Sequence, residues 1–105
     1  MQQLTVQELA ERIEAGTAAI IIDVREPFEY QHARIEGAIL KPLGEIYQWA
    51  RELDKEQEYV LQCHTGSRSY QAAFMLERMG FKHVANLVGG IDEWSARIDP
   101  TVPRY

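Results

Sequence analysis

The sequence contains a single cysteine, Cys63, among its 105 residues. One cysteine cannot form a disulfide within the chain, which argues against a small secreted domain held by disulfides and favours a reducing cytoplasm. Basic residues are also scarce, because 11 Lys and Arg are set against 16 Asp and Glu and no basic run occurs. The resulting net charge of −5 argues against nucleic acid as a partner.

Long apolar stretches are missing as well. Residues 1–16 contain no apolar core of the length found in signal peptides, and no segment approaches the roughly 20 apolar residues of a membrane-spanning helix. We therefore expect a cytoplasmic protein with no membrane partner. The hydrophobic content of 46% is enough to build one buried core, so residues 1–105 are predicted to form a single domain.

Short apolar runs alternate with helical patterns along the chain. The runs predict strands at 18–24, 38–40, 59–62 and 84–87. Helices are predicted from a Thr5–Glu8 capping box to Gly16, and then at 28–32, 42–53, 67–79 and 91–98. This alternation predicts an α/β fold, with an open, mostly parallel sheet of four to five strands and helices on both faces. Ligands of such sheets bind beyond the carboxyl ends of the strands.

The carboxyl end of the third predicted strand leads into Cys63. Free cysteines are often buried structural residues, but here a small polar loop follows the thiol and offers nothing to seal it into an apolar core. The next helix begins near Ser67, so its free N–H groups and positive dipole end face the loop, where they stabilise a thiolate and cradle an anion. Gly66 allows the tight turn that this arrangement needs. We therefore expect Cys63 to be an unsealed nucleophile that acts on a small anion.

Other uses of Cys63 have less support. His32 and His83 are distant in sequence and no C-x-x-C pair is present, so a zinc site is not predicted. His64 follows Cys63 directly, and the side chains of neighbouring residues at a strand end tend to point apart. No Cys–His–Asp arrangement is recognisable, so nothing supports a protease.

Three segments resemble the rhodanese family of sulfurtransferases. The loop CHTGSRS, residues 63–69, is similar to the family's active-site pattern C-x-x-G-x-R-S. Residues 21–38, IIDVREPFEYQHARIEGA, resemble its D-V-R-E-x-x-E-Y segment and I-x-G-A turn, and residues 87–94, LVGGIDEW, resemble its G-G-x-x-x-W close. Many members have a histidine shortly before the I-x-G-A turn, where this chain reads Ala33-Arg34-Ile35, which leaves the role of Arg34 open. The chain also resembles the rhodanese domain of adenylyltransferases that serve ubiquitin-like sulfur carriers.

The resemblance implies that Cys63 attacks the outer sulfur of a donor, becomes a persulfide and passes the sulfur to an acceptor. The donor would be thiosulfate or another persulfide, and the acceptor a thiol or a ubiquitin-like sulfur-carrier protein. No cofactor and no metal would take part. The backbone N–H groups that would cradle the sulfur belong to His64, Thr65, Gly66, Ser67, Arg68 and Ser69.

Three charged residues near this edge have open roles. Arg68 either holds an anionic donor with its guanidinium fork or is a solvated helix arginine that strengthens the local positive field. Asp23 ends a predicted strand, where its carboxylate could act as an acid or base, or could cap a turn and pair with Arg25. The structural role is favoured because no second carboxylate is apparent.

Two other functions use the same fold. Related cell-cycle phosphatases also place a cysteine in an anion-binding loop, but they resemble C-x5-R, whereas Arg68 follows Cys63 after four residues. A shorter loop makes a tighter cradle, which suits a sulfur atom better than a tetrahedral phosphoryl group. Non-catalytic binding modules on this scaffold typically lose the cysteine, which this chain keeps. Sulfur transfer is therefore the favoured function.

Overall fold

The computed structural model describes all 105 residues and contains strands and helices in alternation. The strands are β1 (Gln2–Leu4), β2 (Ile20–Asp23), β3 (Ile39–Leu40), β4 (Glu58–Gln62) and β5 (His83–Leu87). The α-helices are α1 (Val6–Glu14), α2 (Pro27–His32), α3 (Ile46–Trp49), α4 (Ser67–Arg78) and α5 (Gly90–Arg97). Short 3-10 helices, Leu43–Glu45 and Ala50–Glu52, flank α3.

The five strands form one sheet in the order β1-β5-β4-β2-β3, and every neighbouring pair is parallel. The α/β prediction is therefore confirmed. Strand β1 was not predicted, because three residues are too few to show a hydrophobic pattern and its pairing with β5 is a long-range contact. Strand β4 lies in the middle of the sheet, so its carboxyl end is surrounded by structure on both sides.

Helix α1 begins with the predicted capping box. The Thr5 hydroxyl accepts a hydrogen bond from the Glu8 backbone N–H at 3.1 Å, and the Glu8 carboxylate accepts one from the Thr5 N–H at 2.9 Å. Two N–H groups that the helix leaves without partners are thus satisfied, which fixes where the chain turns from β1 into α1.

The single helix predicted over 42–53 is wrong, because this segment is one α-helical turn between two 3-10 turns. Tertiary bonds hold its start in place: the Leu43 N–H donates to the Val24 carbonyl at 3.1 Å, and the Trp49 indole N–H donates to the Pro42 carbonyl at 2.8 Å. Gly44 also lowers the helix propensity of the first turn.

Each face of the sheet is covered by a separate buried cluster. On the α5 face, residues from α1 and α5 pack on alternate strand positions; the cluster includes Val6, Leu9, Ile21, Val60, Ala85, Ile91 and Trp94. On the α4 face, residues from α3 and α4 pack on the other positions; the cluster includes Ile22, Ile46, Trp49, Leu61, Cys63, Ala72, Leu76 and Val84. The helices thus cover both faces, as predicted. None of the helices is both long enough and apolar enough to span a membrane.

Candidate active site

Cys63 lies directly beyond the carboxyl end of β4, where three neutral hydrogen-bonding groups surround its sulfur. Its Sγ lies 3.1 Å from the Gly66 backbone nitrogen, 3.4 Å from the Ser69 backbone nitrogen and 3.3 Å from the Ser69 hydroxyl. Gly66 is the N-cap of α4 and has a φ of +109°, a conformation that residues with a Cβ rarely adopt. The loop therefore closes around the sulfur.

The first turn of α4 adds further donors. The backbone N–H groups of Ser67 and Arg68 have no acceptor within the protein, as expected for the first residues of a helix. These groups and the positive end of the helix dipole lie beside the Cys63 loop. A negative charge that develops in this loop is therefore stabilised by the backbone.

Helix α5 supports the loop from the other side. Its first N–H groups, those of Ile91 and Asp92, donate to the carbonyls of Cys63 and His64 at 2.9 and 3.0 Å. A Cβ on Gly90 would lie 2.4 Å from the Cys63 carbonyl oxygen and 2.6 Å from that of His64. Only glycine permits this approach, which accounts for Gly90 as the first residue of α5.

The expectation that nothing seals the thiol is wrong, because Cys63 is only 1% exposed and belongs to the α4-face cluster. The polar residues that follow it do not open the site. The loop turns back over the sulfur through the Gly66 and Ser69 contacts, while the α5 N-terminus holds the Cys63 and His64 carbonyls. A polar loop sequence therefore does not by itself expose the residue that it encloses.

A chain of polar side chains extends from the sulfur to the edge strand. The buried Ser69 hydroxyl lies 2.5 Å from Oδ1 of Asn86, and Nδ2 of Asn86 donates to Oε1 of Gln3 at 3.0 Å. Asn86 is on β5 and Gln3 is its register partner on β1. Sequence reasoning missed both residues, although a polar residue inside the apolar strand HVANL was a usable signal.

Arg68 is engaged by a carboxylate that sequence reasoning missed. Its guanidinium makes two hydrogen bonds to Glu29, at 2.7 and 3.0 Å. This fork lowers the pKa of Glu29 to about 2 against the opposing effect of burial, helped by the Glu26 backbone N–H and the Tyr105 hydroxyl. Arg68 is therefore ion-paired, a state that neither of its two expected roles included.

Asp23 and Arg25 form the pair that the sequence suggested. Nε of Arg25 donates to Oδ1 of Asp23 at 2.9 Å and Nη2 donates to Oδ2 at 2.6 Å, with both side chains fully buried. Nη2 also donates to the Ala33 carbonyl at 2.6 Å. Burial lowers the pKa of Arg25, but the hydrogen bonds to Asp23 and Tyr105 outweigh it, so the pKa is raised overall. The pair ties β2 to the segment after α2.

Tyr105 joins the two ion pairs. Its hydroxyl accepts a hydrogen bond from Nη1 of Arg25 at 2.6 Å and donates to Oε2 of Glu29 at 2.9 Å. Burial raises the pKa of Tyr105, so the hydroxyl keeps the proton that it donates. Its ring stacks on His64 with centroids 4.1 Å apart and an interplanar angle of 9°. The pattern TVPRY gave no signal of this role.

Two remaining features lie outside these contacts. Arg34, whose role the sequence left open, lies over the ring of Tyr30 with its guanidinium carbon 4.6 Å from the ring centroid. No three His, Cys, Asp or Glu side chains come together where they could hold a metal ion. The site is therefore built from one thiol, neutral donors and a neighbouring set of ion pairs.

The known proteins that are similar to this chain agree with one another. A model of the rhodanese-like domain family matches residues 5–97. The putative sulfurtransferase YtwF of Bacillus subtilis is 35% identical over 100 residues, which cover 95% of this chain and 96% of YtwF. The putative sulfur carrier protein YrkF of the same organism is 34% identical over 97 residues, or 92% of this chain, but this chain spans only 52% of YrkF.

A solved structure has the same fold over the full length. The crystal structure of SSP1007 from Staphylococcus saprophyticus superposes with a TM-score of 0.86 and 31% sequence identity, and the match covers 99% of this chain and 100% of that one.

Proposed function

The chain belongs to the rhodanese-like domain family, and from this premise we propose that it transfers sulfane sulfur through a persulfide on Cys63. The observation that carries the proposal is the set of neutral donors on Sγ: the N–H groups of Gly66 and Ser69 and the Ser69 hydroxyl, all within 3.4 Å. Donors placed in advance around a sulfur stabilise the negative charge that it carries as the attacking thiolate and again as the leaving thiolate when the persulfide is cleaved. Relatives named as sulfurtransferases support the same class of reaction.

The proposed reaction has two displacement steps. The Cys63 thiolate attacks the outer sulfur of thiosulfate, a bond forms between Sγ and that sulfur, and sulfite leaves with the electron pair of the broken S–S bond. An acceptor thiolate, or cyanide in an assay, then attacks the terminal sulfur of the persulfide. Cys63 leaves as a thiolate, so each cycle restores the enzyme without a cofactor.

The residues of the loop share the work of binding. The backbone N–H groups of the loop, from His64 and Thr65 through Ser67 to Ser69, cradle the terminal sulfur, while Asp23 and Arg25 hold the edge of the sheet in place. Arg68 has 36% of its side chain exposed and its fork is filled by Glu29. The oxygens of an anionic donor compete with Glu29 for the hydrogen bonds of the Arg68 guanidinium. Arg68 therefore binds the donor by giving up its hydrogen bonds to Glu29.

The proposal also covers the sulfur acceptor and the cellular compartment. We assign a thiol or a ubiquitin-like sulfur-carrier protein as the acceptor, and the name of YrkF as a putative sulfur carrier protein supports a link to such carriers. We place the reaction in the cytoplasm, as the sequence predicts, with residues 1–105 acting as one domain. No nucleic acid or membrane takes part.

The geometry of the loop disfavours phosphatase activity. The loop closes to hydrogen-bond distance around Sγ itself, which leaves little room for a phosphoryl group and its equatorial oxygens. The spacing C-x4-R of this chain agrees with the tight loop.

A turnover assay tests the proposal. Purified protein given thiosulfate and cyanide is expected to release thiocyanate, and Cys63→Ser is expected to release none above the uncatalysed rate. Aryl phosphates are offered in parallel and are expected to remain intact. Thiocyanate release that persists in Cys63→Ser would reject Cys63 as the sulfur carrier. Ready hydrolysis of aryl phosphates without thiosulfate turnover would replace the proposal with a phosphatase.

A further inference from the structure

The single hydrogen of the Ser69 hydroxyl has two possible acceptors. Oγ of Ser69 lies 3.3 Å from Sγ of Cys63 and 2.5 Å from Oδ1 of Asn86. A hydroxyl has one hydrogen to donate, while a thiolate sulfur and an amide oxygen can only accept. The direction of the hydroxyl therefore has to depend on what the sulfur and the amide present to it.

With Cys63 as a thiol, every side chain from Cys63 to Gln3 has a hydrogen-bond partner when all the bonds are donated in the direction of Gln3. The S–H of Cys63 donates to Ser69 Oγ, the Ser69 hydroxyl donates to Asn86 Oδ1, and Asn86 Nδ2 donates to Gln3 Oε1 at 3.0 Å. The short distance of 2.5 Å between the Ser69 and Asn86 oxygens fits a hydrogen lying between them.

A thiolate reverses the demand, because its Sγ has no hydrogen and its negative charge attracts the Ser69 hydroxyl more strongly than the neutral Asn86 oxygen does. If the Ser69 hydroxyl turns towards Sγ, its oxygen is left facing Asn86 Oδ1 with no hydrogen between them. Rotation of the Asn86 amide by half a turn removes this conflict, since Nδ2 then donates to Ser69 Oγ. Gln3 must then turn its own amide, so that Nε2 donates to Asn86 Oδ1.

The surroundings make this rearrangement cooperative. Ser69 is fully buried and Asn86 is 4% exposed, so water cannot replace a lost partner of either residue. Gln3 lies on the exposed side of the edge strand β1, where water satisfies its amide in either orientation. Ser69 and Asn86 must therefore change their hydrogen bonds together, whereas Gln3 can exchange its partner for water.

We propose that Asn86 and Gln3 are positioning residues whose amides reverse when Cys63 changes from a thiol to a thiolate. The reversal turns the Ser69 hydroxyl onto the sulfur and so stabilises the form that attacks the donor. The link to catalysis rests on the proposed function. The reversal itself depends only on the negative charge on Sγ.

Side-chain amide signals in ¹H–¹⁵N spectra test the reversal. The thiol form is compared with the thiolate form made at alkaline pH, and with a methylthio form made by methyl methanethiosulfonate, which places S–CH3 on Sγ, releases methanesulfinate and leaves Sγ neutral. The amide signals of Asn86 and Gln3 are expected to move together in the thiolate form, and raising the pH of the methylthio form is expected to leave them in place. Those of Gln2, the neighbour on the opposite face of β1, are expected to stay.

The thiolate form separates the two proposals. If thiosulfate gives no persulfide but the thiolate form moves the Asn86 and Gln3 signals, the proposed function fails and the reversal stands. If ultraviolet absorbance shows the thiolate while the Gln3 signals stay with those of Gln2, the reversal is overturned.

Kinetics test whether Asn86 acts through Ser69. Ser69→Ala and Asn86→Asp are each expected to slow persulfide formation about tenfold, since the first removes the hydroxyl and the second faces it with oxygens that can only accept. Asn86→Ala leaves Sγ as the only acceptor of the hydroxyl and is expected to keep most of the rate. The double variant of Ser69→Ala and Asn86→Asp is expected to be no slower than Ser69→Ala, and losses that multiply would overturn the proposal. If Asn86→Asp does not fold, the amide signals of Asn86 and Gln3 decide alone.

Discussion

Two sets of polar contacts meet at the carboxyl edge of the sheet, and they use different chemistry. The contacts to the Cys63 sulfur come only from neutral donors, on Gly66 and Ser69. The neighbouring contacts are among charged groups, in which Arg25 is paired with Asp23 and Arg68 with Glu29. Each cation near the site thus has its own carboxylate.

The two sets of contacts hold different parts of the site. Paired charges fix the positions of segments that are distant in sequence, because removing one partner leaves the other uncompensated. Neutral N–H and O–H groups stabilise a sulfur anion less strongly than a bare cation does, which suits the proposed function, in which Cys63 accepts and then releases a sulfur atom. Arg68 alone is proposed to act in both ways, by exchanging Glu29 for the donor. The predictions below alter one set of contacts at a time.

The largest expected effect is on stability, at the buried ion pair. Asp23→Asn leaves Arg25 charged and without its anion in a fully buried site, so we expect a loss of about 3–5 kcal/mol in the free energy of unfolding. Asp92→Asn breaks a surface pair with Arg104 and is expected to cost less than about 1 kcal/mol. Urea unfolding measures both, and equal losses would show that the buried pair is not a structural element.

The next effect concerns the packing of α5 against the Cys63 loop. Gly90→Ala places a Cβ 2.4 Å from the Cys63 carbonyl oxygen and forces alanine to a φ of +57°. We expect a loss of about 3 kcal/mol in stability, together with slower sulfur transfer because the loop shifts. Gly44→Ala, where no atom lies within 4 Å of the added Cβ, is the matched control. Equal midpoints of thermal unfolding in the two variants would contradict the close approach of Gly90 to the Cys63 loop.

A smaller effect is expected from the neutral donor on the sulfur. Ser69→Ala removes the hydroxyl 3.3 Å from Sγ, and we expect persulfide formation to slow about tenfold, or about 1.4 kcal/mol, with the fold retained. Thr17→Ala, an exposed hydroxyl far from the loop in sequence, is the control. Stopped-flow rates with thiosulfate measure the difference. An unchanged rate in Ser69→Ala would show that the hydroxyl does not stabilise the reacting sulfur.

The smallest expected effect is the response of Glu29 to acid. Its pKa is about 2 in the folded protein, below its ordinary 4.5, so its contribution to stability is fully present above 4.5 and is lost as the pH falls towards 2. Glu29→Gln is expected to cost about 1 kcal/mol at neutral pH, because Arg68 stays partly hydrated. The difference from the native protein should shrink over that acid range. A constant difference would mean that the charge of Glu29 is not involved; Glu36→Gln, on the surface, is the control.

The order of elements and the loop could be predicted because their signals are local. The run before Cys63, the glycine at 66 and the amphipathic pattern of α4 all lie within a few residues of one another. The Thr5–Glu8 capping box is likewise a contact between residues three apart. Periodicity and capping rules apply well to such short-range patterns.

The remainder of the site depends on contacts between distant residues. Glu29 meets Arg68 across 39 positions, and Tyr105 meets Arg25 across 80. No local rule joins such residues. The burial of Cys63 was missed for the same reason, because the N-terminus of α5 closes on the loop from 27 positions away, between Gly90 and Cys63. Sequence reasoning therefore singled out Cys63 and its loop as the candidate site and missed the structure that encloses them.

Intact-mass spectrometry after incubation with thiosulfate tests the central claim most directly. Cys63 is the only cysteine, so any sulfur adduct that depends on a thiol must lie on it. The account predicts that the protein gains the mass of one sulfur atom, that cyanide removes it with release of thiocyanate, and that Cys63→Ala gains nothing. A mass that stays unchanged after thiosulfate, or an adduct that also forms in Cys63→Ala, would contradict it.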